Sequence, residues 1–301
     1  MTSSFQAAHP FVKWAGGKTQ LLPEIRAKYP AHIERYCEPF VGGGAVLFDV
    51  LQRFHPREVL INDINAELIN TYRKVQTDCD ALLSLLAELQ AQYYAAALPE
   101  NKALFLQKRA RYNELKQSGN ASDDLEKAAL FIFLNKTCFN GLYRVNAKGL
   151  FNVPFNSAKR PLLCDEENIR ACSALLQQVQ MTVGNYAQCE PFIDSQTFVY
   201  IDPPYRPLNA TSAFTSYSAG GFGDAEQVAL SRFIAAIASK GAAVVASNSD
   251  PKNADSDDTF FDDLYADFDI QRISAARMIN SDAKKRGAVS ELLISSIADV
   301  F

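Results

Sequence analysis

The tetrapeptide Asp202-Pro203-Pro204-Tyr205 directly follows the apolar run Phe198-Val199-Tyr200-Ile201. In open α/β folds, ligands sit beyond the carboxyl ends of parallel strands, so chemistry is expected here. Two consecutive prolines make a stiff turn without backbone donors, which leaves carbonyl oxygens to accept. A carboxylate, a carbonyl and a tyrosine ring therefore lie within one short turn. That set suits a flat heterocycle with an exocyclic amine: the oxygens accept its N–H groups and the ring stacks. The plain alternative is a strand-ending turn, because Asp-Pro and Pro-Tyr are common turn pairs.

A second group is Glu38-Pro39-Phe40-Val41-Gly42-Gly43-Gly44. Glycines let a backbone approach a ligand closely. A dinucleotide fingerprint needs glycine at residue 47, where the chain has Leu47, so hydride transfer loses its best support. A nucleoside-binding turn remains, against the alternative of a packing turn. Asp63 follows about 20 residues later, where a carboxylate suits ribose hydroxyls. A third group is Lys13-Trp14-Ala15-Gly16-Gly17-Lys18, which holds the chain's single tryptophan. By itself that tryptophan reads equally well as core.

The elements that must position these groups fall into three sections. Up to about residue 70, glycine clusters and the run Val59-Leu60-Ile61, closed by Asn62-Asp63, read as βα turns. From about 70 to 163, residues 81–89 and 124–136 have helical spacing. Two short aromatic and β-branched stretches between 139 and 154 flank Asn146-Ala147-Lys148-Gly149 and predict a hairpin. From about 165 onward, apolar runs at 181–183, 198–201, 242–246 and 292–295 alternate with helical patterns. That alternation predicts a mainly parallel α/β sheet. The acidic stretch Asp255-Ser256-Asp257-Asp258 reads as a solvated loop or helix start.

Composition narrows the partners. The chain has 301 residues, 48% hydrophobic and 21% charged, with a formal charge of -4. These values suit a globular protein of one large or two ordinary domains, not a disordered chain or a coiled coil. Global attraction to nucleic acid is excluded, so a nucleic-acid site must be a local basic patch. Such a patch exists: between Lys127 and Cys164 the charged residues are Lys127, Lys136, Arg144, Lys148, Lys159 and Arg160, and none is acidic. A basic run is usually a solvated face. Here Phe139, Tyr143, Phe151 and Phe155 are interleaved with it. The six cysteines contain no C-x-x-C pair and lie away from the three histidines, so buried thiols are expected and no metal site. The start Met1-Thr2-Ser3-Ser4-Phe5 lacks signal-peptide character and no apolar run is long enough to span a membrane, which predicts a cytoplasmic protein.

Taken in order, Lys13 to Lys18, Glu38 to Gly44, Asn62-Asp63-Ile64-Asn65, Asn135 to Phe155 and Asp202 to Tyr205 resemble the Dam-type (D12 class, α group) DNA adenine-N6 methyltransferases. Phe214-Thr215-Ser216-Tyr217, Ile279-Asn280-Ser281-Asp282 and Lys284-Lys285-Arg286-Gly287 extend the likeness over nearly the whole chain. The resemblance implies a Rossmann-like, mainly parallel methyltransferase sheet with an antiparallel last strand. It implies an S-adenosylmethionine-binding catalytic domain from residues 1–69 and 164–301, and a target-recognition domain of helices plus β-hairpin at 70–163. Trp14, Lys18, Glu38, Pro39, Phe40, Gly42, Gly44, Asp63, Tyr186 and Asp202 would bind S-adenosyl-L-methionine. Asp202, Pro203, Pro204 and Tyr205 would hold a flipped adenine in double-stranded DNA.

For the hairpin, the resemblance is to readers of GATC. Arg144 would read a guanine, Leu142 and Pro154 a thymine methyl, and Lys13 the first base pair. Phe139 would enter the base stack, where relatives often have tyrosine, with Asn140 beside it. Lys159 and Arg160 would grip phosphates, because Ser157 stands where some relatives have arginine. A monomer is expected, with a cognate restriction endonuclease as a partner the sequence leaves open. Three rivals stand: an amino-methyltransferase for another site or for RNA, a silent DNA-binding relative, and a nucleotide-dependent oxidoreductase. Intact Asp202 to Tyr205 and Asp63 argue against the second, and Leu47 against the third.

Overall fold

In the computed structural model, which describes residues 7–97, 99–206, 222–276 and 288–296, the apolar runs become strands. They are β1 (Arg35–Glu38), β2 (Glu58–Asp63), β3 (Val179–Val183), β4 (Thr197–Ile201), β5 (Ala243–Ser249), β6 (Asp269–Ala276) and β7 (Ala288–Ser295). The sheet order is β3-β2-β1-β4-β5-β7-β6. β1 runs parallel to β2 and β4, and β4 runs parallel to β5. β7 is antiparallel to β5 and β6. The sheet is therefore mainly parallel with an antiparallel last strand, as the resemblance implies. The runs at 214–217, 279–282 and 284–287 lie outside the described residues.

All five residues of β4 are buried. A strand flanked by neighbours and covered on both faces reads as an uninterrupted apolar run, which is why it was visible. The helices are α1 (Leu22–Arg26), α2 (Ala45–Phe54), α3 (Ala66–Thr77), α4 (Cys79–Ala95), α5 (Glu100–Ser118), α6 (Asp124–Thr137), α7 (Glu166–Leu176), α8 (Asp224–Ser239) and α9 (Phe260–Leu264). The expected helices at 81–89 and 124–136 are α4 and α6. The acidic stretch 255–258 is a largely exposed turn before α9.

The chain weaves through two compact units. One comprises Met1–Gly17, Gly42–Arg53 and Asp63–Gly184. Its core holds Tyr72 of α3, Leu82 and Leu86 of α4, and Phe131 and Phe133 of α6. The other comprises Lys18–Val41, Phe54–Asn62 and Asn185–Phe301. Val199, Ile201, Val244 and Leu292 of its strands pack with Ile234 and Ile237 of α8. Each such large side chain contributes about 1.5–3 kcal/mol on burial.

The predicted hairpin is looser than a two-stranded ladder. Cys138 pairs with Phe155 and Val145 with Phe151 as isolated antiparallel bridges. Asn146 and Gly149 close the turn, with Gly149 N donating to Asn146 O at 2.8 Å. Competition explains the gaps. The Asn113 side chain takes both backbone groups of Phe151, at 2.8 and 3.1 Å. Pro154 has no N–H to give. Phe139–Gly141 is a 3-10 turn, with Asn140 at φ 55° and Gly141 at φ 64°.

All six cysteines are free thiols, four buried, with Cys79 and Cys164 half-buried. Burial pushes Cys138 and Cys172 up to about 12, so they stay protonated and unreactive near neutral pH. Among the described residues, no helix is long and apolar enough to cross a membrane.

Candidate functional site

In the unit that carries β4, strand register builds the turn at Asp202. Ile201 lies opposite Ala246 of β5. The next residues on the two strands are Asp202 and Ser247, and Ser247 Oγ donates to Asp202 Oδ1 at 3.0 Å. Lys18 Nζ donates to the other oxygen, Oδ2, at 2.7 Å. The Lys18 side chain is 4% exposed and that of Asp202 is 21% exposed, so this is a largely buried ion pair. The same ammonium lies 5.0 Å from the centre of the Tyr205 ring. Tyr205 is itself fixed, because its hydroxyl donates to Glu291 Oε2 at 2.8 Å. Burial pushes the Tyr205 phenol well up, with Asp202 and Glu291 adding to it, so it remains a donor. Gln227 Nε2 donates to the Pro204 carbonyl at 3.2 Å, and Asn248 Nδ2 to Gln227 Oε1 at 3.1 Å.

In the same unit, Glu38 ends β1 with its carboxylate buried. The Tyr36 hydroxyl donates to Glu38 Oε2 at 2.7 Å. Asn62 Nδ2 donates to Pro39 O at 3.0 Å, and Val41 N to Asn62 O at 3.0 Å, so the turn after β1 is stitched to the end of β2. The Phe40 ring lies 5.3 Å from that of Tyr186, tilted by 32°. Tyr186 is half-buried.

In the other unit, backbone amides hold the Asp63 carboxylate. Gly42 N donates to its Oδ2 at 3.1 Å and Asn65 N to its Oδ1 at 2.9 Å. Asn65 then caps α3 by accepting from Leu68 N at 3.1 Å, a contact worth about 1 kcal/mol. Burial pushes the Asp63 carboxyl above its ordinary value of 3.8, while the amides of Asn65, Gly42 and Ile64 pull it back. Ile64 beside it is 66% exposed. Glycine is required at two positions here. Gly42 has φ +47°, and a Cβ there would lie 2.7 Å from Trp14 Cδ1. Gly44 has φ +74°, and a Cβ there would run into the Tyr72 hydroxyl. Trp14 is half-buried and stacks on Tyr143, with centroids 6.4 Å apart and planes at 21°.

The same unit holds the 139–155 loop. Asn135 clamps it to the Lys13 strip: Asn135 Oδ1 accepts from Lys13 N at 2.8 Å, and Nδ2 donates to Lys13 O and Gly141 O, both at 2.8 Å. Gly141 abuts the Lys13 side chain, where a Cβ would lie 2.5 Å from Lys13 Cβ. Phe139 is 51% exposed, and its N donates to Pro154 O at 2.8 Å. Leu142 is half-buried, and Asn140, Pro154 and Lys159 are exposed. Arg144 is exposed, with Nε donating to Asn152 Oδ1 at 2.8 Å. The exposed Arg160 lies 4.9 Å over the Tyr94 ring. Of the basic run, Lys127 is paired to Asp124 at 2.6 Å. Lys136 is half-buried, and burial pushes its ammonium down.

A family model described as "D12 class N6 adenine-specific DNA methyltransferase" matches residues 14–279. The chain belongs to this family. It is 43% identical to the Type II methyltransferase M.MjaIII of Methanocaldococcus jannaschii, over 95% of this chain and 98% of that one. It is 36% identical to the Type II methyltransferase M1.LlaDCHI of Lactococcus lactis subsp. cremoris, over 95% of each chain. It is 33% identical to a DNA adenine methylase of Vibrio cholerae serotype O1, over 94% of each chain. The protein is thus an adenine-specific DNA methyltransferase, an enzyme that acts on DNA.

Within this D12 methyltransferase, the structure brings Lys18, Asp202 and Tyr205 together, and Phe40 with Tyr186. It also groups Trp14, Gly42 and Asp63, Lys13 with Gly141, and Phe139 with Pro154. Sequence reasoning missed Ser247, Glu291, Gln227 and Asn248 around the Asp202 turn, and Ile64 beside Asp63. Ile64 alone left a signal, as a large apolar residue following a strand-ending carboxylate.

Proposed function

We propose that the enzyme transfers a methyl group from S-adenosyl-L-methionine to the exocyclic N6 amine of an adenine flipped out of duplex DNA, within GATC. The observation that carries this reading is the Asp202–Tyr205 turn, whose carboxylate and ring are both held in place by neighbouring side chains. A base inside a duplex hides its amine, so it must leave the stack. Asp202 and the Pro203 carbonyl accept its two N–H bonds; the Pro204 carbonyl already accepts from Gln227. Those bonds localise a lone pair otherwise delocalised into the ring. Tyr205 stacks on the base. Positioning and electrostatics supply the rate, and Asp202 is an acceptor rather than a strong base.

The residues fit the cofactor. Asp63 accepts from the amides of Gly42 and Asn65, with the Ile64 amide also acting on it, and its remaining acceptor capacity suits a ribose hydroxyl. Exposed Ile64 offers an apolar face to a flat ring, and Gly42 permits close backbone approach. Trp14, Glu38, Pro39, Phe40, Gly44 and Tyr186 complete the proposed binding set, and Lys18 joins it through Asp202. When bound, S-adenosylmethionine supplies an electrophilic sulfonium methyl. Residues 70–163 serve as the target-recognition domain, with Arg144, Leu142 and Pro154 reading bases and Phe139 entering the stack. Lys13 and Asn140 contact the bases beside it, and Lys159 and Arg160 hold phosphates. A monomer working in the cytoplasm is part of the same reading.

The test is methyl transfer from labelled S-adenosylmethionine to two duplexes, one with GATC and one with its adenine replaced. Products are digested to nucleosides. Methyladenine only in the GATC duplex is expected. Methyladenine in both keeps the reaction and discards the site. Transfer to neither, with transfer to RNA, discards the DNA substrate.

A further inference from the structure

We infer that Ser247, backed by Tyr200, is a positioning residue that sets the orientation of the Asp202 carboxylate for methyl transfer. The inference rests on the role given to Asp202 above.

The hydrogen-bond chain has a forced direction. Ser247 Oγ lies 3.0 Å from Asp202 Oδ1, and Tyr200 Oη lies 3.1 Å from Ser247 Oγ. An ionised carboxylate only accepts, so Ser247 gives it its single hydroxyl proton. Ser247 must then accept from Tyr200, which acts as the donor. Burial, with the Asp202 charge adding to it, holds the Tyr200 phenol well above its ordinary value, so the proton stays available. Tyr200 and Ser247 are each 1% exposed, so water does not compete for these bonds.

The second oxygen is taken by Lys18 at 2.7 Å. The two donors therefore sit on opposite oxygens. The terminal torsion of an aspartate is broad and roughly two-fold, so one donor alone leaves it soft. The second donor fixes the carboxyl plane and so aims the remaining lone pairs. Misplacing a reacting group by about 1 Å can cost on the order of a hundredfold in rate. The chain ends at a buried phenol, with no further acceptor needed, so it orients the carboxylate rather than conducting a proton. Register supports the same conclusion, because Asp202 and Ser247 are the residues next after the paired Ile201 and Ala246.

The experiment compares the full-length wild type with Ser247→Ala, Ser247→Thr and Tyr200→Phe. It reads the single-turnover rate of methyl transfer to duplex adenine, KM for S-adenosylmethionine and for DNA, and the thermal midpoint. Ser247→Ala should slow transfer about tenfold or more with both KM values unchanged. Ser247→Thr keeps the hydroxyl and should recover most of the rate. Tyr200→Phe should slow transfer by a smaller factor, about threefold, because it removes only the outer donor. A Ser247→Ala enzyme at the wild-type rate would falsify the inference. So would a loss confined to KM, or a Ser247→Thr enzyme no faster than Ser247→Ala. Should Ser247→Ala fail to fold, an unchanged rate in Tyr200→Phe overturns the inference. A wild type that methylates no adenine overturns the role of Asp202 itself, which separates the two failures.

Discussion

Asp202 carries two demands, one chemical and one structural. Its carboxylate accepts from a lysine whose side chain is 4% exposed. Asp202→Ala should therefore abolish methylation and also lower stability by on the order of 2–3 kcal/mol. That is below the full cost of breaking a wholly buried pair, since Asp202 is partly exposed. Asp202→Ala combined with Lys18→Met should regain much of that stability without regaining activity. Chemical denaturation alongside the transfer assay checks this, and a double variant no more stable than Asp202→Ala rejects the paired role.

Asp63 gives a pH prediction at the same scale. Its folded carboxyl is raised above 3.8 by burial. The folded state therefore binds this proton more tightly than the unfolded chain does. Its contribution to stability is present at low pH and is lost as pH rises from 3.8 through the raised value. In the proposed ribose role, cofactor binding goes the other way, because ribose hydroxyls need the ionised acceptor. Affinity for S-adenosylmethionine, measured by calorimetry, should fall as pH drops, starting above the ordinary carboxylate range. Asp63→Ala should bind weakly at every pH. An affinity flat down to pH about 4 in the wild type counts against the ribose role.

Asp202 and Asp63 were legible because each ends an apolar run, where a carboxylate has no packing reason to be. Ser247, Glu291 and Gln227 were not. They are ordinary residue types on distant segments, and only strand register and the α8 packing bring them to the turn.

At the scale of elements, burial decided what could be read. β4 and β5 are covered on both faces and appear as apolar runs. β6 is an edge strand with Ile273 as its one buried residue among those described, and its sequence carries no strand pattern. α5 buries only Asn101, Phe105, Tyr112 and Leu115 of its nineteen residues, so its apolar stripe is faint. The 139–155 loop was legible as a reversal with a tight turn. Its missing ladder was not, because the competing acceptor and donor come from Asn113 on α5. This loop presents Arg144 outward, with Asn152 bracing the guanidinium through Nε at 2.8 Å. A braced fork suits bidentate reading of a guanine, worth about 1–3 kcal/mol of discrimination. Arg144→Ala should relax choice at one guanine position more than it weakens binding overall. Competition binding with duplexes varied one base pair at a time tests this. A uniform loss across all sequences would make Arg144 a phosphate contact instead.

At the scale of the whole molecule, a formal charge of -4 must be reconciled with a polyanionic substrate. Long-range attraction cannot do it, so affinity must come from short-range contacts at exposed cations. The structure narrows these within the basic run. Lys127 is committed to Asp124, and Lys136 is half-buried, with burial pushing its ammonium down. Lys159 and Arg160, the phosphate contacts of this reading, remain exposed, and Lys148 is a third exposed cation of the same segment, free to join them. Each phosphate neutralised on duplex DNA adds a slope of about -0.9 to the dependence of log affinity on log salt. Replacing Lys148, Lys159 and Arg160 together by alanine should therefore flatten the slope by about three and weaken all sequences alike. Arg144→Ala should leave more of the slope intact than any pair drawn from those three. Binding titrations from about 50 to 200 mM salt separate the outcomes. A triple variant with the wild-type slope would place the phosphate grip elsewhere on the chain and leave the 139–160 segment with base reading alone.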